Sequence, residues 1–187
     1  DEEVLSYTLN NLGTVQMLIP ASEQKGIDLL QQSLAIAVKH SYHEHAASAY
    51  ASLGSGLVKI KNYDFAGEIL GEGIRYCEDR DLNSWTAYLL SWQARLDMEK
   101  GNWTFAYSTA DNLLENENQP AVTKIVALLV LAKVLMRQGE KEMLTLLLEA
   151  KSMSFKTGEL QRIIPSMVAM LEYEWLTGMT IIEDDEI

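Results

Sequence analysis

Two stretches of this chain repeat each other at a distance of about forty residues. Residues 59–74 read KIKNYDFAGEILGEGI and residues 99–114 read EKGNWTFAYSTADNLL, so that KNYDFA falls on GNWTFA. The two share an asparagine, an aromatic residue, a phenylalanine and an alanine. Self-similarity at this period indicates an array of helical repeats, because each repeat can bury its apolar face only against its neighbours. This repetition constrains the fold more than any other feature of the sequence.

The same spacing continues on both sides of this pair. A further step of about forty residues beyond Ala106 reaches Leu144 in RQGEKEMLTLLLEA, and an equal step back from Ala66 reaches Gly26 in EQKGIDLLQQSLAIA. We therefore expect one domain over residues 1–187 that contains four repeat units and a capping helix. Their expected ranges are 4–40, 44–78, 83–116, 120–155 and, for the capping helix, 160–178.

Each unit has the apolar periodicity of two helices with a small residue inside each helix. Small residues let antiparallel helices approach closely, while larger apolar residues three and four positions away pack around them. The expected fold is all-α, a right-handed superhelical array of antiparallel helix pairs that forms a tetratricopeptide-like solenoid. The small residues are Gly13, Gly54, Ala94 and Ala132 in the first helices, and Gly26, Ala66 and Ala106 in the second helices, with Leu144 as the exception.

The last apolar-periodic stretch, RIIPSMVAMLEYEWLTG at 162–178, has the pattern of the first helix of a fifth pair, without a second helix after it. We expect Pro165 to fall in its first turn, where a helix tolerates proline. Such a helix either caps the array or packs against residues outside this segment, and Leu171, Trp175 and Leu176 would then be its exposed surface. A homo-oligomer formed through this last helix is one expected arrangement.

Composition excludes several classes of function. The 187 residues are 48% hydrophobic and 22% charged, and 15 Lys and Arg against 27 Asp and Glu give a formal charge of -12. Such a chain repels a phosphate backbone, so direct nucleic-acid binding is not expected. The longest apolar run, IVALLVLA, is far shorter than the roughly 20 residues of a membrane span. We expect no contact with a membrane.

The ends of the chain and its single cysteine also bear on its context. Cys77 cannot form an internal disulfide, and no signal-peptide pattern is present, which favours a cytoplasmic protein. The chain opens on Asp1 and stops in the acidic tail IIEDDEI, so we expect a fragment of a longer protein. The acidic residues 183–186 read most simply as a solvated end.

Three strings carry a more specific resemblance: YCEDRDLNSWTAYLLSWQARLDMEKGNW from Tyr76 onward, ALLVLAKVLMRQG, and KTGELQRIIPSMVAMLEYEWLTG. Over roughly residues 40–178 the chain resembles the helical-repeat region of large bacterial LuxR-type transcriptional regulators. In that family the repeats follow an ATPase module, precede a helix-turn-helix and are regarded as a sensor or interaction region. This sequence has no GxxxxGK[ST] loop and no basic recognition helix. The resemblance therefore implies a regulatory binding domain, without ATP hydrolysis or DNA contact.

The first helices of stacked pairs line a concave face, which such arrays use for binding. Arg95 and Lys133 fall at equivalent positions of neighbouring repeats and are predicted to anchor a carboxylate or phosphate. The pattern is similar to the carboxylate clamp of chaperone-binding tetratricopeptide domains, although Ala51, Ser52 and Ser55 replace residues of that clamp. The predicted ligand- or partner-binding residues are Asn10, Tyr88, Ser91, Trp92, Arg95 and Lys133.

A simpler alternative is that Arg95 and Lys133 pair with acidic neighbours such as Asp97 and Glu99, which surface charges do at little net energy. Other chemistry is not expected. The histidines in KHSYHEHAA lie at a junction between helices and lack the spacing of a metal site, and GSG at 54–56 and GEG at 71–73 lie inside helical periodicity without a preceding strand. We see no nucleophile and base in a catalytic arrangement, so neither an enzyme nor a bound cofactor is expected.

The expected function is therefore that of a non-catalytic binding domain, and its context stays open. It is either the sensor and interaction region of a transcriptional regulator, with a peptide, a protein segment or a small anionic ligand in the groove, or a stand-alone scaffold for protein partners. A third reading, a peptide-responsive quorum-sensing receptor, needs more groove asparagines than Asn10 and Asn11. The flanking sequence discriminates between the first two.

Overall fold

The computed structural model describes residues 1–140 and 143–182. Over these residues the chain consists of helices without any strand, which confirms the all-α class. Successive helices pack on one another, an arrangement compatible with a helical repeat array, while the superhelical course stays a prediction. The helices are α1 Glu2–Met17, α2 Glu23–Lys39, α3 His43–Lys59, α4 Tyr63–Glu78, α5 Asn83–Glu99, α6 Trp103–Glu115, α7 Ala121–Gln138, α8 Met143–Thr157 and α9 Leu160–Thr177.

A recurrent tight turn ends several of these helices. After α3, Lys61 has a φ of 63°, its N–H donates to the Val58 carbonyl at 3.2 Å, and the Asn62 N–H donates to the Leu57 carbonyl at 3.0 Å. This pair of bonds is the Schellman motif, which requires one left-handed residue and leaves only a short link to the next helix. The same pair of bonds follows α2, α4, α5 and α7, with the positive φ at Ser41, Asp81, Gly101 and Gly139.

The chain divides into two compact units, residues 1–96 and residues 97 onward. In unit 1, α1 and α2 cross where both carry glycine. A Cβ built on Gly26 would lie 2.5 Å from the Met17 backbone nitrogen and 2.8 Å from the Gly13 carbonyl oxygen. Near the other ends of these helices the Ser6 hydroxyl donates to the Ser33 carbonyl at 3.1 Å, so the two helices are antiparallel.

The pair α3 and α4 repeats this arrangement. A Cβ on Gly54 would lie 2.6 Å from Leu70 Cδ2, and one on Gly73 would lie 2.8 Å from the Cβ of Tyr50. In these contacts the residue numbers on α4 rise as those on α3 fall, so α3 and α4 are antiparallel. Small residues at these crossings therefore let the backbones approach closely.

The first helices of unit 1 also lie side by side. His45 Nε2 on α3 is 3.2 Å from Glu3 Oε1 on α1, and further along both helices Asn10 Nδ2 donates to Ser48 Oγ at 3.3 Å. The partners are separated by about one repeat and their numbers ascend together, so α1 and α3 are parallel. The indole N–H of Trp85 on α5 donates to Glu44 on α3 in the same way.

Unit 2 has its own apolar core, built by α7, α8 and α9. Leu147, Ala150 and Met170 are fully buried at its centre. After α9 the chain turns back, and Ile182 is buried in the same core while its N–H donates to Glu174 Oε1 at 2.7 Å. The acidic residues 183–186, expected as a solvated end, lie outside the described residues.

No helix within the described ranges has the length and apolarity that crossing a membrane requires.

Candidate functional site

Two polar stripes run along the first helices of unit 1. Ser48, Ser52, Ser55 and Lys59 follow one another on α3 at intervals of three and four residues, so they share one face of the helix. Tyr88, Trp92 and Arg95 do the same on α5. We call these residues, together with Asn10 on α1, the first-helix surface.

Direct contacts connect the three helices of this surface. Asn10 Nδ2 donates to Ser48 Oγ at 3.3 Å, which joins α1 to α3. The Nζ of Lys59 lies 5.3 Å from the centroid of the Trp92 ring, a cation–π contact that joins α3 to α5. The first-helix surface therefore combines hydroxyl, amide, aromatic and cationic groups, some of them buried, within one compact unit.

The predicted binding residues differ in how much surface they expose. Tyr88 and Arg95 are half-buried on α5, whereas Asn10 and Trp92 are each only 8% exposed. Ser91 is fully buried, and its hydroxyl donates to the Tyr88 carbonyl at 2.6 Å. The Ser91 hydroxyl thus serves its own helix, and the polar groups that remain for a ligand belong to the other residues.

Lys133 is the predicted binding residue that lies in unit 2. It is buried on α7, and its Nζ donates to Glu172 Oε2 on α9 at 2.7 Å. Arg137, one turn further along α7, lies 3.6 Å from the other oxygen of the same carboxylate. Lys133 therefore forms an ion pair with an acidic side chain, as the simpler alternative expects, but its partner is Glu172 instead of Asp97 or Glu99. The other predicted cation, Arg95, belongs to unit 1.

Two atoms of the first-helix surface are buried without a hydrogen-bond partner. They are Asn10 Oδ1 and Trp92 Nε1. A third such atom among the described side chains, Thr123 Oγ1, lies on α7 in unit 2. A buried polar atom that lacks a partner costs about 1–3 kcal/mol, so such atoms are normally satisfied by protein, water or ligand. The amide oxygen of Asn10 and the indole N–H of Trp92 are therefore buried polar atoms whose hydrogen bonds the described side chains do not supply.

Lys59 is absent from the residues predicted from sequence. It is the last residue of α3, and the repeat alignment gives its position on that helix only. Its contact with Trp92 depends on the reach of a long side chain across to α5, which residue spacing does not predict. The feature of the sequence that could have identified Lys59 is its place at the end of the polar stripe that begins at Ser48.

The histidine cluster and the lone thiol are accounted for by packing. No group of three metal-binding side chains occurs within residues 1–140 and 143–182. Cys77 is fully buried on α4, and burial raises the pKa of its thiol to about 11. The histidines contact separate partners: His40 stacks on Tyr42, His43 Nδ1 is 2.8 Å from Tyr76 Oη, and His45 Nε2 is 3.2 Å from Glu3 Oε1.

Comparison with protein-family models, with curated proteins and with solved structures finds no match to this chain. The assignment of a function therefore rests on the residues of the chain itself, and the resemblance to LuxR-type regulators remains a prediction from its sequence.

Proposed function

We propose that this chain is a non-catalytic binding domain that recognises a peptide or protein segment on the first-helix surface. The observation that carries this proposal is the pair of buried, unpartnered polar atoms, Asn10 Oδ1 and Trp92 Nε1. They lie on α1 and α5, and α3 between them adds a row of small hydroxyl side chains. Both atoms are buried, so a bound segment reaches them only when the side chains around them move, and a peptide then offers N–H donors and C=O acceptors along its length.

The charges of this surface favour an anionic group within that segment. Lys59 contacts the Trp92 ring, and Arg95 lies one turn further along α5 on the same face. Two cations, Lys59 and Arg95, therefore belong to this surface in a chain whose formal charge is -12. A carboxylate fits, since the guanidinium of arginine binds it through two parallel hydrogen bonds.

We further propose, from the sequence resemblance, that the domain is the sensor or interaction region of a LuxR-type transcriptional regulator. The alternative is a stand-alone tetratricopeptide-like scaffold that docks protein partners without signalling. Sequencing the reading frame on both sides of the segment separates the two. An upstream phosphate-loop ATPase with a downstream helix-turn-helix supports the regulator, and a frame with neither overturns it.

The binding proposal is tested by NMR of the tryptophan indole groups. The chain has four tryptophans, and a Trp92→Phe variant assigns the Trp92 Nε1–H resonance. The probe is a pool of N-acetylated hexapeptides with free C-terminal carboxylates, and the same pool with C-terminal amides is its control. We expect the carboxylate pool to shift the Trp92 resonance. An unchanged Trp92 resonance, or equal shifts from both pools, contradicts carboxylate recognition on this surface.

Charge variants separate a specific site from general attraction. Lys59→Met keeps the apolar stem over the Trp92 ring and removes the charge, and Arg95→Gln removes the charge while it keeps a polar side chain. We expect each to weaken binding of the carboxylate pool at least about tenfold, the scale of one charge-assisted hydrogen bond. The matched control is Lys25→Met at an exposed position of α2. A loss of equal size in this control would identify the attraction as non-specific.

A further inference from the structure

The last helix carries a continuous apolar ridge. Every residue of this ridge is between 44% and 82% exposed, and Trp175 is the most exposed of them. The positions recur at intervals of three and four residues, so they form one stripe along nearly the whole of α9. The α9 ridge consists of Leu160, Ile164, Val168, Leu171 and Trp175.

The rest of unit 2 covers a different side of α9. Ala169, Met170 and Tyr173 are buried in the core with α7 and α8, and the returning segment buries Ile182 in that same core. The side chains of the ridge therefore remain exposed even where the chain turns back after α9. A continuous stripe of exposed apolar side chains on a helix marks an interaction site.

The spacing of the ridge is symmetric about its centre. Residues 160 and 175 have the same midpoint as residues 164 and 171, and that midpoint falls between 167 and 168. When two such helices lie antiparallel with these midpoints together, Trp175 of one copy faces Leu160 of the other and Leu171 faces Ile164. Val168 then lies beside the two-fold axis. A self-complementary patch of this kind is what a closed symmetric dimer requires.

Charge at the ridge itself is compatible with a second copy as the occupant. All the ridge side chains are uncharged, although the chain as a whole carries a formal charge of -12. Two copies can thus meet on this helix without opposing carboxylates directly, and salt screens the remaining repulsion over about 8 Å at physiological ionic strength. The two carboxylates of α9 are both engaged within the chain: Glu172 accepts from Lys133 Nζ at 2.7 Å, and Glu174 Oε1 accepts from the Ile182 N–H at 2.7 Å.

We propose that the α9 ridge is covered by the α9 ridge of a second copy of this chain, in an antiparallel two-fold pair. The pairing is independent of the first-helix surface, which lies in unit 1. A contact through one helix from each copy is small, so the expected dissociation constant is on the order of 10–100 µM, in the range of transient interfaces. Because both copies are acidic, added NaCl tightens the dimer.

Sedimentation equilibrium of the whole chain tests whether the pair forms. We expect a monomer–dimer equilibrium for the wild type and at least a tenfold weaker one for Leu171→Glu. The matched control is Val15→Glu at another exposed apolar position, on α1, which leaves the equilibrium unchanged. Circular dichroism establishes that both variants are folded. A wild type that stays monomeric through concentrations of about 500 µM, well above the expected dissociation constant, overturns the proposal, as does an equal effect of the control.

Cross-linking tests the register. Cys77 is the single cysteine and is fully buried, so introduced cysteines react without competition from an exposed native thiol. We expect Val168→Cys to form a disulfide dimer with itself under oxidising conditions. Ile164→Cys is expected to form one only when mixed with Leu171→Cys, because a disulfide requires Cα atoms within about 7 Å. Efficient dimerisation of Ile164→Cys alone indicates parallel helices and contradicts the proposed pair.

Discussion

Gly26 and Gly71 are both glycines inside helices, yet an added methyl group meets different surroundings at each. At Gly26 it would lie 2.5 Å from the backbone nitrogen of Met17, whereas at Gly71 the nearest atom, 3.6 Å away, belongs to the flexible Arg75 side chain. We expect Gly26→Ala to lower the free energy of unfolding by about 1–3 kcal/mol, the range of overpacked cores. Gly71→Ala should raise it by about 0.5–1 kcal/mol through helix propensity.

Urea unfolding followed by circular dichroism measures both glycine changes. Gly71→Ala is the matched control, because it makes the same chemical change within a helix of the same unit. Equal stability of the two variants would mean that α1 and α2 do not approach as closely as the structure shows.

The thiol of Cys77 gives the stability a dependence on alkaline pH. Burial disfavours the thiolate and raises the pKa of this thiol from its ordinary value of 9.0 to about 11. Between these values the unfolded chain loses its thiol proton while the folded chain keeps it. The contribution of the protonated thiol to the free energy of unfolding is therefore complete below pH 9. It is lost as the pH rises through about 11, with a slope of at most about 1.4 kcal/mol per pH unit.

Comparison with Cys77→Ala isolates this thiol effect, because the other groups that titrate are common to both chains. Urea unfolding at a series of pH values should show that the stability difference between wild type and variant shrinks from pH 9 upward. A difference that stays constant over this range would show that the folded thiol titrates normally.

The sequence predicts some residue-level features and not others, for a physical reason. Gly13, Gly26 and Gly54 are identified from the repeat because a helix crossing imposes the same steric demand in every copy. The partner of Lys133 is not predictable in this way. Glu172 lies 39 residues further along the chain, and its approach depends on how α9 packs against α7. The binding role of Arg95 stays a prediction, as does that of Tyr88.

At the level of whole helices, the turns between them determine where each helix ends. Lys61 and Gly101 occupy the same left-handed position in two copies of the turn, with φ of 63° and 83°. A residue other than glycine adopts this conformation at a cost of about 1–2 kcal/mol. We expect Lys61→Gly to stabilise the chain by about 1 kcal/mol and Gly101→Ala to destabilise it by a similar amount.

Thermal unfolding of these two variants checks the turn prediction. No atom of the described residues lies within 4 Å of a Cβ added at Gly101, so any loss there comes from the backbone and not from a clash. Opposite shifts in the two midpoints support the shared turn, and shifts of the same sign contradict it. The sequence marks these turns weakly, because Ser41, Lys61 and Asp81 lack the glycine that usually identifies them.

For the whole molecule, the formal charge of -12 opposes folding through repulsion among like charges. Screening by salt reduces this repulsion, since the Debye length falls from about 30 Å at 0.01 M to about 8 Å at 0.15 M. We expect the free energy of unfolding by urea to rise on the order of 1 kcal/mol between low and physiological NaCl concentrations. Because guanidinium chloride is itself a salt, the measurement uses urea. A fall in stability with NaCl would mean that attractive ion pairs outweigh the repulsion.

The spacing of the Schellman turns has a consequence for how such a chain changes length. The left-handed residues of the first four of these turns stand at 41, 61, 81 and 101, one every twenty residues, and that of the fifth stands at 139. An insertion or deletion of twenty residues reverses the direction of every helix that follows, and exchanges the first helix of each pair with the second. A change of forty residues preserves both. Duplication of a forty-residue block, begun at any of these turns, can therefore lengthen the protein and leave its existing surfaces in place.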